Sequence, residues 1–126
     1  MAEEKCLGGI IEFSRKGTVR FAHQNGKAIG SGSYKEYDEG VACLTYIYVE
    51  PSEEYDEDVI YEELYNVLEK DMIADGYKEI LLVGAKEEIA FYQKMGYRIG
   101  EERDADKLEN LLGADVIHEV TMEKTL

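Results

Sequence analysis

The stretch that decides the fold lies in the last third of the chain and reads Phe91-Tyr92-Gln93-Lys94-Met95-Gly96-Tyr97. Residues 86–95 have the spacing of a helix, and Gly96 is placed to end it, because glycine tolerates the left-handed conformation found at helix C-termini. A short strand is predicted from Tyr97 to Gly100. Since Phe91, Met95 and Tyr97 would pack in the core of any helix–strand unit, the stretch gains its meaning from its neighbours.

The elements before this junction predict a strand, a helix and a second strand. Residues Val41–Val49 contain almost no polar interruption, which predicts a central strand buried on both faces. Asp56–Ala74 has helical periodicity, and Glu79–Val83 is a short apolar strand. The apolar stripe of the helix comprises Ile60, Leu64, Val67, Leu68 and Met72.

Antiparallel strands are predicted on the N-terminal side, at Gly9–Phe13, Thr18–Gln24 and Lys27–Glu36. The last two flank Asn25-Gly26, a strong hairpin signal because both residues tolerate positive φ. Two glycines of the third strand, Gly30 and Gly32, indicate a bulge or a close backbone approach. A short helix (Asp104–Leu112) and a closing strand (Val116–Glu123) follow the junction.

The length of 126 residues predicts a single domain over residues 1–126. Its fold class is α/β (α+β), a mixed, mostly antiparallel sheet of about seven strands with two main helices. The antiparallel hairpins come first, and a strand–helix–strand crossover follows them.

Acidic residues outnumber basic ones by 28 to 14, which gives a net charge of −14. Because phosphate binding needs a basic surface, we expect no nucleic acid as a direct ligand. A basic small molecule or a basic peptide or protein is favoured instead; the alternative is that the acidity only provides solubility. No Lys or Arg occurs between Lys35 and Lys70, and residues 50–63 contain eight carboxylates.

The cysteines and the hydropathy pattern suggest a cytoplasmic protein. Two cysteines, Cys6 and Cys43, match no metal-ligand spacing, so we expect no metal and a reducing compartment. No apolar run approaches 18 residues, and the N-terminus lacks the apolar segment of a signal peptide, so we expect no membrane association.

Taken together, the elements resemble the GNAT superfamily of N-acetyltransferases over roughly residues 18–126. That family typically carries Phe-Tyr-x-Lys-x-Gly-Phe after its second core helix, and residues 91–97 differ only in the closing Tyr97. Residues 80–83 look like the family's fifth strand, and residues 48–51 look like its fourth strand, which usually ends Val-x-Pro. Residues 118–124 are similar to its closing strand.

The resemblance implies acyl transfer from acetyl-CoA to a primary amine. In the family the pantetheine lies between the fourth and fifth strands, and a tyrosine after the motif phenylalanine often protonates the departing thiolate. The resemblance therefore implies Tyr92 as the catalytic acid and a loop carboxylate as the base, with Glu50 and Glu54 binding the basic substrate. The implied cofactor-binding residues are Tyr48, Val49, Leu82, Val83 and Phe91.

One feature of the family is missing, the glycine-rich loop that holds the pyrophosphate. Residues 52–60 read Ser-Glu-Glu-Tyr-Asp-Glu-Asp-Val-Ile, and no glycine occurs between Gly40 and Gly76. Glycine is needed there so that backbone N–H groups can approach phosphate. Glu54 falls near the family's Arg or Gln, and Tyr55 falls on or beside a loop glycine. Acidic residues would also stabilise the start of the helix.

The family's helices between its first two strands are also absent, since only Ser14–Gly17 separates the two here. The substrate site would then be open, or completed by a second copy in a homodimer. A third departure is Ala85, where the family often has asparagine.

These observations predict a GNAT-fold, acetyltransferase-like protein with weak or lost acetyl-CoA binding, acting as a binding or regulatory module for a basic ligand or partner. The alternative is an active acetyl-CoA-dependent N-acetyltransferase with a divergent cofactor loop. A third interpretation is an acidic interaction protein of another fold.

Overall fold

The structure, a computed structural model, describes residues 5–6, 9–100, 105–113 and 120–126. The described residues form eight strands and three α-helices. The strands are β1 (Lys5–Cys6), β2 (Gly9–Lys16), β3 (Val19–Gln24), β4 (Lys27–Asp38), β5 (Val41–Val49), β6 (Glu79–Gly84), β7 (Arg98–Ile99) and β8 (Val120–Thr125). The helices are α1 (Glu57–Ala74), α2 (Ile89–Lys94) and α3 (Ala105–Leu112).

The strands form one mixed sheet in the order β1-β2-β3-β4-β5-β6-β8-β7. β2 pairs antiparallel with β3, β3 with β4, and β8 with both β6 and β7. β5 and β6 are parallel, as expected for two strands that a helix connects. The predicted fold class and the crossover are therefore confirmed.

Turn chemistry sets the hairpin between β3 and β4. Asn25 and Gly26 have φ values of 53° and 79°, the conformation that a two-residue hairpin turn requires. Pairing runs from Gln24 with Lys27 to Val19 with Ser33, and it shifts register between Ala22 and His23. The predicted hairpin is therefore confirmed.

The two glycines of β4 allow the close approach that the sequence predicted. A Cβ on Gly30 would lie 2.8 Å from the carbonyl oxygen of Tyr48, and one on Gly32 would lie 2.6 Å from Leu68 Cδ1. Because Ala22 pairs with Gly30 while His23 pairs with Ala28, Ile29 is the extra residue of a bulge. Both alternatives, a bulge and a close approach, are present.

One burial prediction is wrong. β5 was expected to be buried on both faces, and the residues from Ala42 to Leu44 are buried. Tyr46 and Tyr48, however, are 45% and 56% exposed. Pairing with β6 covers only Val41 to Cys43, so the later residues of β5 lie beyond the end of this ladder.

Several boundaries also differ from the predictions. The helix predicted over residues 86–95 is a 3-10 turn, Lys86–Glu88, followed by α2, which ends at Lys94. The predicted starts of the last helix at Asp104 and of the last strand at Val116 lie outside the described residues, as do His118 and Glu119.

The chain forms two compact units, Met1–Ser33 with Tyr46–Asp71, and Tyr34–Thr45 with Met72–Leu126. The boundaries between the units fall inside β4, β5 and α1. The single domain over residues 1–126 stays a prediction. In the first unit a core cluster consists of Ile11, Ala22, Ile29, Tyr55 and Ile60. In the second, a cluster consists of Tyr37, Cys43, Leu81 and Leu108.

Candidate functional site

Side chains of the loop between β5 and α1 accept hydrogen bonds from two backbone donors, one in the loop and one at the start of the helix. The N–H of Glu54 donates to Ser52 Oγ at 3.0 Å, and the N–H of Asp58 donates to Asp56 Oδ1 at 2.9 Å. The N–H of Ile60 donates to the carbonyl of Asp56 at 3.2 Å, the first hydrogen bond of the helix. Asp56 is thus the N-cap of α1, and its carboxylate occupies the positive end of the helix.

Tyr55 fills the centre of this loop. Its side chain is 7% exposed and packs in the core cluster with Ile29 and Ile60, and its hydroxyl donates to the carbonyl of Glu50. Burial raises the pKa of Tyr55, and the carboxylate of Glu50 raises it further. The buried ring of Tyr55 therefore lies on or beside a position where the GNAT resemblance implies a glycine.

A cavity of about 300 Å³ lies beside this loop, within the first unit. Its walls come from the β3–β4 hairpin (Gln24, Lys27, Ile29) and from the segment between β5 and α1 (Glu50, Glu54, Tyr55). Both residues predicted to bind the basic substrate, Glu50 and Glu54, line it. Their carboxylates outnumber the single cation of Lys27, so the wall attracts a positively charged group.

Gln24 is the feature of this cavity that the sequence analysis missed. Its side chain is buried, with 4% of the residue exposed, and Nε2 has no hydrogen-bond partner among the described residues. The signal was available in the strand alternation. Gln24 lies two residues after the fully buried Ala22, so a polar side chain shares the inward face of β3.

The residues of the Phe-Tyr motif pack tightly in the second unit. Tyr92 is 4% exposed. Its ring makes edge contacts with Phe91, at 5.0 Å between centroids, and with Tyr97, at 5.4 Å. The predicted acid is thus held as a core aromatic, a role that does not by itself call for a proton donor.

The remaining predicted cofactor residues divide between the units. Tyr48 is exposed and Val49 packs beside the core cluster of the first unit. In the second unit Leu82 is 2% exposed and Val83 packs against the cluster of Cys43 and Leu81. The side chains of Leu82 and Val83 therefore serve the core, which leaves only their backbone for a ligand.

Ala85 follows β6 at the position where the family often has asparagine, and its backbone N–H is already hydrogen-bonded within the chain. The N–H of Ala85 donates to Glu88 Oε1 at 2.9 Å. In the core cluster of the second unit, burial raises the pKa of the Cys43 thiol to about 11, which makes it a poor nucleophile at neutral pH.

These residues do not fit a CoA pyrophosphate. The N-terminus of α1 is occupied by its own Asp56 carboxylate, and Glu53, Glu54, Glu57 and Asp58 add negative charge to an exposed segment. In the described part of the chain, no group of three or more His, Cys, Asp or Glu could hold a metal ion. None of its helices is long and apolar enough to cross a membrane.

Solved structures similar to this chain include N-acetyltransferases. PaiA N-acetyltransferase of Thermoplasma acidophilum, in complex with coenzyme A, is 24% identical with a TM-score of 0.65, over 86% of this chain and 60% of that one. N-acetylglutamate synthase of Neisseria gonorrhoeae, complexed with coenzyme A and N-acetyl-glutamate, is 11% identical with a TM-score of 0.70, over 92% and 29%.

A GNAT family acetyltransferase of Elizabethkingia anophelis with acetyl-CoA bound is 19% identical with a TM-score of 0.68, over 86% of this chain and 75% of that one. The chain thus spans about 60% of the length of PaiA and 29% of that of the synthase. No protein-family model and no curated protein sequence matches it. At these identities the likeness concerns architecture: the chain has the fold of the GNAT N-acetyltransferases.

Proposed function

We propose that this GNAT-fold protein binds acetyl-CoA weakly or not at all, and acts as a binding or regulatory module for a basic ligand or partner. The observation that carries the proposal is the state of the β5–α1 loop. Asp56 caps α1 and Tyr55 is built into the core, so the chain itself supplies the anion and fills the space that a cofactor's phosphates would need.

Electrostatics adds to this internal cap. Two like charges about 4 Å apart repel by about 1 kcal/mol in water. Two or three such repulsions between the loop acids and a pyrophosphate would weaken binding by roughly a hundredfold, at about 1.4 kcal/mol for each factor of ten. The same acids attract cations, and Glu50 and Glu54 direct that attraction to the cavity beside the loop.

Calorimetric titration with acetyl-CoA at physiological salt tests the cofactor half of the proposal. We expect a dissociation constant no tighter than high micromolar, because the loop offers neither a free helix end nor positive charge. A low-micromolar value would overturn this half.

Titration with a basic probe tests the other half. Spermidine should bind to the wild type, and its binding should weaken in Glu50→Gln and Glu54→Gln. The matched control is Glu87→Gln, which removes one charge from an exposed position of the second unit. Equal weakening in all three variants would mean that only overall charge matters, and would refute a site at the cavity.

A second candidate function is an active N-acetyltransferase on a primary amine, favoured by the Phe91-Tyr92 pair. Tyr92 would be the acid and a loop carboxylate the base. An assay for acetyl transfer to amines, run on the wild type and Tyr92→Phe, separates the two functions. Turnover that is lost in a folded Tyr92→Phe variant would favour the enzyme over the binding module.

Two wider aspects of the proposal follow from the sequence. Two cysteines without disulfide or metal spacing support a cytoplasmic location. The short Ser14–Gly17 connection, in place of the family's helices, supports a homodimer in which a second copy covers the site. Sedimentation velocity tests the dimer, and a monomer at tens of micromolar would contradict it.

A further inference from the structure

The buried side-chain nitrogen of Gln24 has no hydrogen-bond partner among the described residues, and Gln24 lines the cavity beside the β5–α1 loop. Buried side-chain donors are nearly always hydrogen-bonded in proteins, because an unmet donor is destabilising. The last torsion of a glutamine side chain is broad, so one N–H can turn towards an acceptor held there.

The other groups of the cavity decide which acceptor is suitable. Glu50 and Glu54 contribute two carboxylates, and Lys27, on the exposed hairpin, contributes one cation. A ligand carboxylate would meet net negative charge, whereas an uncharged carbonyl oxygen would not. The hydroxyl of Tyr55, which also lines the cavity, already donates its proton to the Glu50 carbonyl. It is therefore not a donor for the ligand.

A simple amine would satisfy the carboxylates and leave the amide unmet. A neutral amide would accept the hydrogen bond from Gln24 but leave the carboxylates without a cation. A free amino acid would bring a carboxylate that Glu50 and Glu54 repel. An ammonium group with an uncharged oxygen acceptor close to it satisfies both halves of the wall, and a carbonyl oxygen is the strongest of the common uncharged acceptors. The volume of about 300 Å³ equals that of roughly ten liquid waters, at about 30 Å³ each, which is ample for such a group.

We propose that the cavity binds a primary amine that carries an uncharged carbonyl oxygen, as in an amino-acid amide or the free N-terminus of a peptide. The ammonium group lies against Glu50 and Glu54, and the carbonyl oxygen accepts a hydrogen bond from Gln24 Nε2. This inference rests on the proposed binding of basic ligands and adds the second recognition element.

The test uses four small probes that differ by one feature. Alaninamide has both the cation and the carbonyl, isopropylamine lacks the carbonyl, N-acetylalaninamide lacks the cation, and alanine replaces the amide by a carboxylate. Binding is followed by ¹⁵N-resolved NMR of the full chain, in which the side-chain NH₂ signals of Gln24 report directly on the amide.

We expect alaninamide to bind about tenfold to a hundredfold more tightly than isopropylamine, the range expected for satisfying one buried donor. Alanine and N-acetylalaninamide should both bind more weakly than alaninamide, and only the carbonyl-bearing amine should shift the Gln24 signals strongly. A tetra-alanine peptide distinguishes the two sources: tighter binding than alaninamide points to a peptide N-terminus, and weaker binding points to a small amide.

Gln24→Met is the matched variant, because it keeps the length of the side chain and removes the amide. In this variant alaninamide and isopropylamine should bind equally. Should the variant fail to fold, the probe series and the Gln24 signals of the wild type still decide. If the wild type binds both amines equally and the Gln24 signals do not move, the inference fails while the binding of basic ligands stands. If no amine binds at all, both fail.

Discussion

Replacing Tyr55 with alanine tests whether the β5–α1 loop is part of the core. The ring is 7% exposed and packs with Ile29 and Ile60, and truncating a buried aromatic side chain to alanine typically destabilises by about 3–5 kcal/mol. Tyr55→Phe removes only the hydroxyl that donates to Glu50, a loss of about 0.5–1.5 kcal/mol. Since domains of this size are stable by about 5–15 kcal/mol, the alanine variant should lose a substantial part of its free energy of unfolding while the phenylalanine variant keeps most of it.

Urea denaturation followed by circular dichroism measures both losses. The matched control is Tyr48→Ala, the same truncation at a side chain that is 56% exposed, for which we expect a change within about 1 kcal/mol. If Tyr55→Ala and Tyr48→Ala lost equal stability, the ring would not support the core. The loop could then open for a phosphate, and the ring would be no obstacle to acetyl-CoA.

Two further predictions concern buried groups away from the loop. Asp71, 5% exposed, accepts bonds from Arg20 at 2.7 and 2.8 Å and from a second arginine at 3.2 Å. Asp71→Asn should therefore destabilise by about 2–4 kcal/mol in urea, and a loss no larger than that of the exposed control Glu53→Gln would refute this. Burial raises the pKa of the Cys43 thiol from 9.0 to about 11. Since the unfolded chain loses the thiol proton first as pH rises, the free energy of unfolding should be highest below pH 9 and should fall between pH 9 and 11. Cys43→Ala should flatten the stability–pH curve in that window, and an unchanged curve would contradict the raised pKa.

The features that sequence could predict are those set by neighbours along the chain. Asn25-Gly26 encodes its turn through φ values that few residues tolerate, and positive φ at both positions bears this out. Asp56 could be expected at a helix start because its side chain bonds a donor only two residues away. Periodicity and turn signals likewise indicated the order of elements along the chain, and comparison with the family pattern identified the missing glycines.

The features that sequence could not predict depend on residues far apart. Asp71 meets Arg20 across 51 positions. Its spacing from Leu64 and Leu68 places it on the buried face of α1, but no local pattern identifies its partner. The half-exposed state of β5 was missed for a similar reason. Its apolar composition describes what the strand can pack against, whereas its burial depends on what covers each face. Beyond Leu44 the face that carries Tyr46 and Tyr48 is exposed, while the alternate residues are half-buried.

The loop acids have one physical role that bears on both stability and function. A helix N-terminus leaves backbone N–H groups that an anion must satisfy, and the anion can come from a ligand or from the chain. Here Asp56 supplies it from within the same segment, at the high effective concentration of an intramolecular group. A cofactor phosphate would first have to displace this carboxylate and then tolerate it nearby. Under the proposed function, the helix start therefore needs no cofactor phosphate, and the acids around it attract a cation instead.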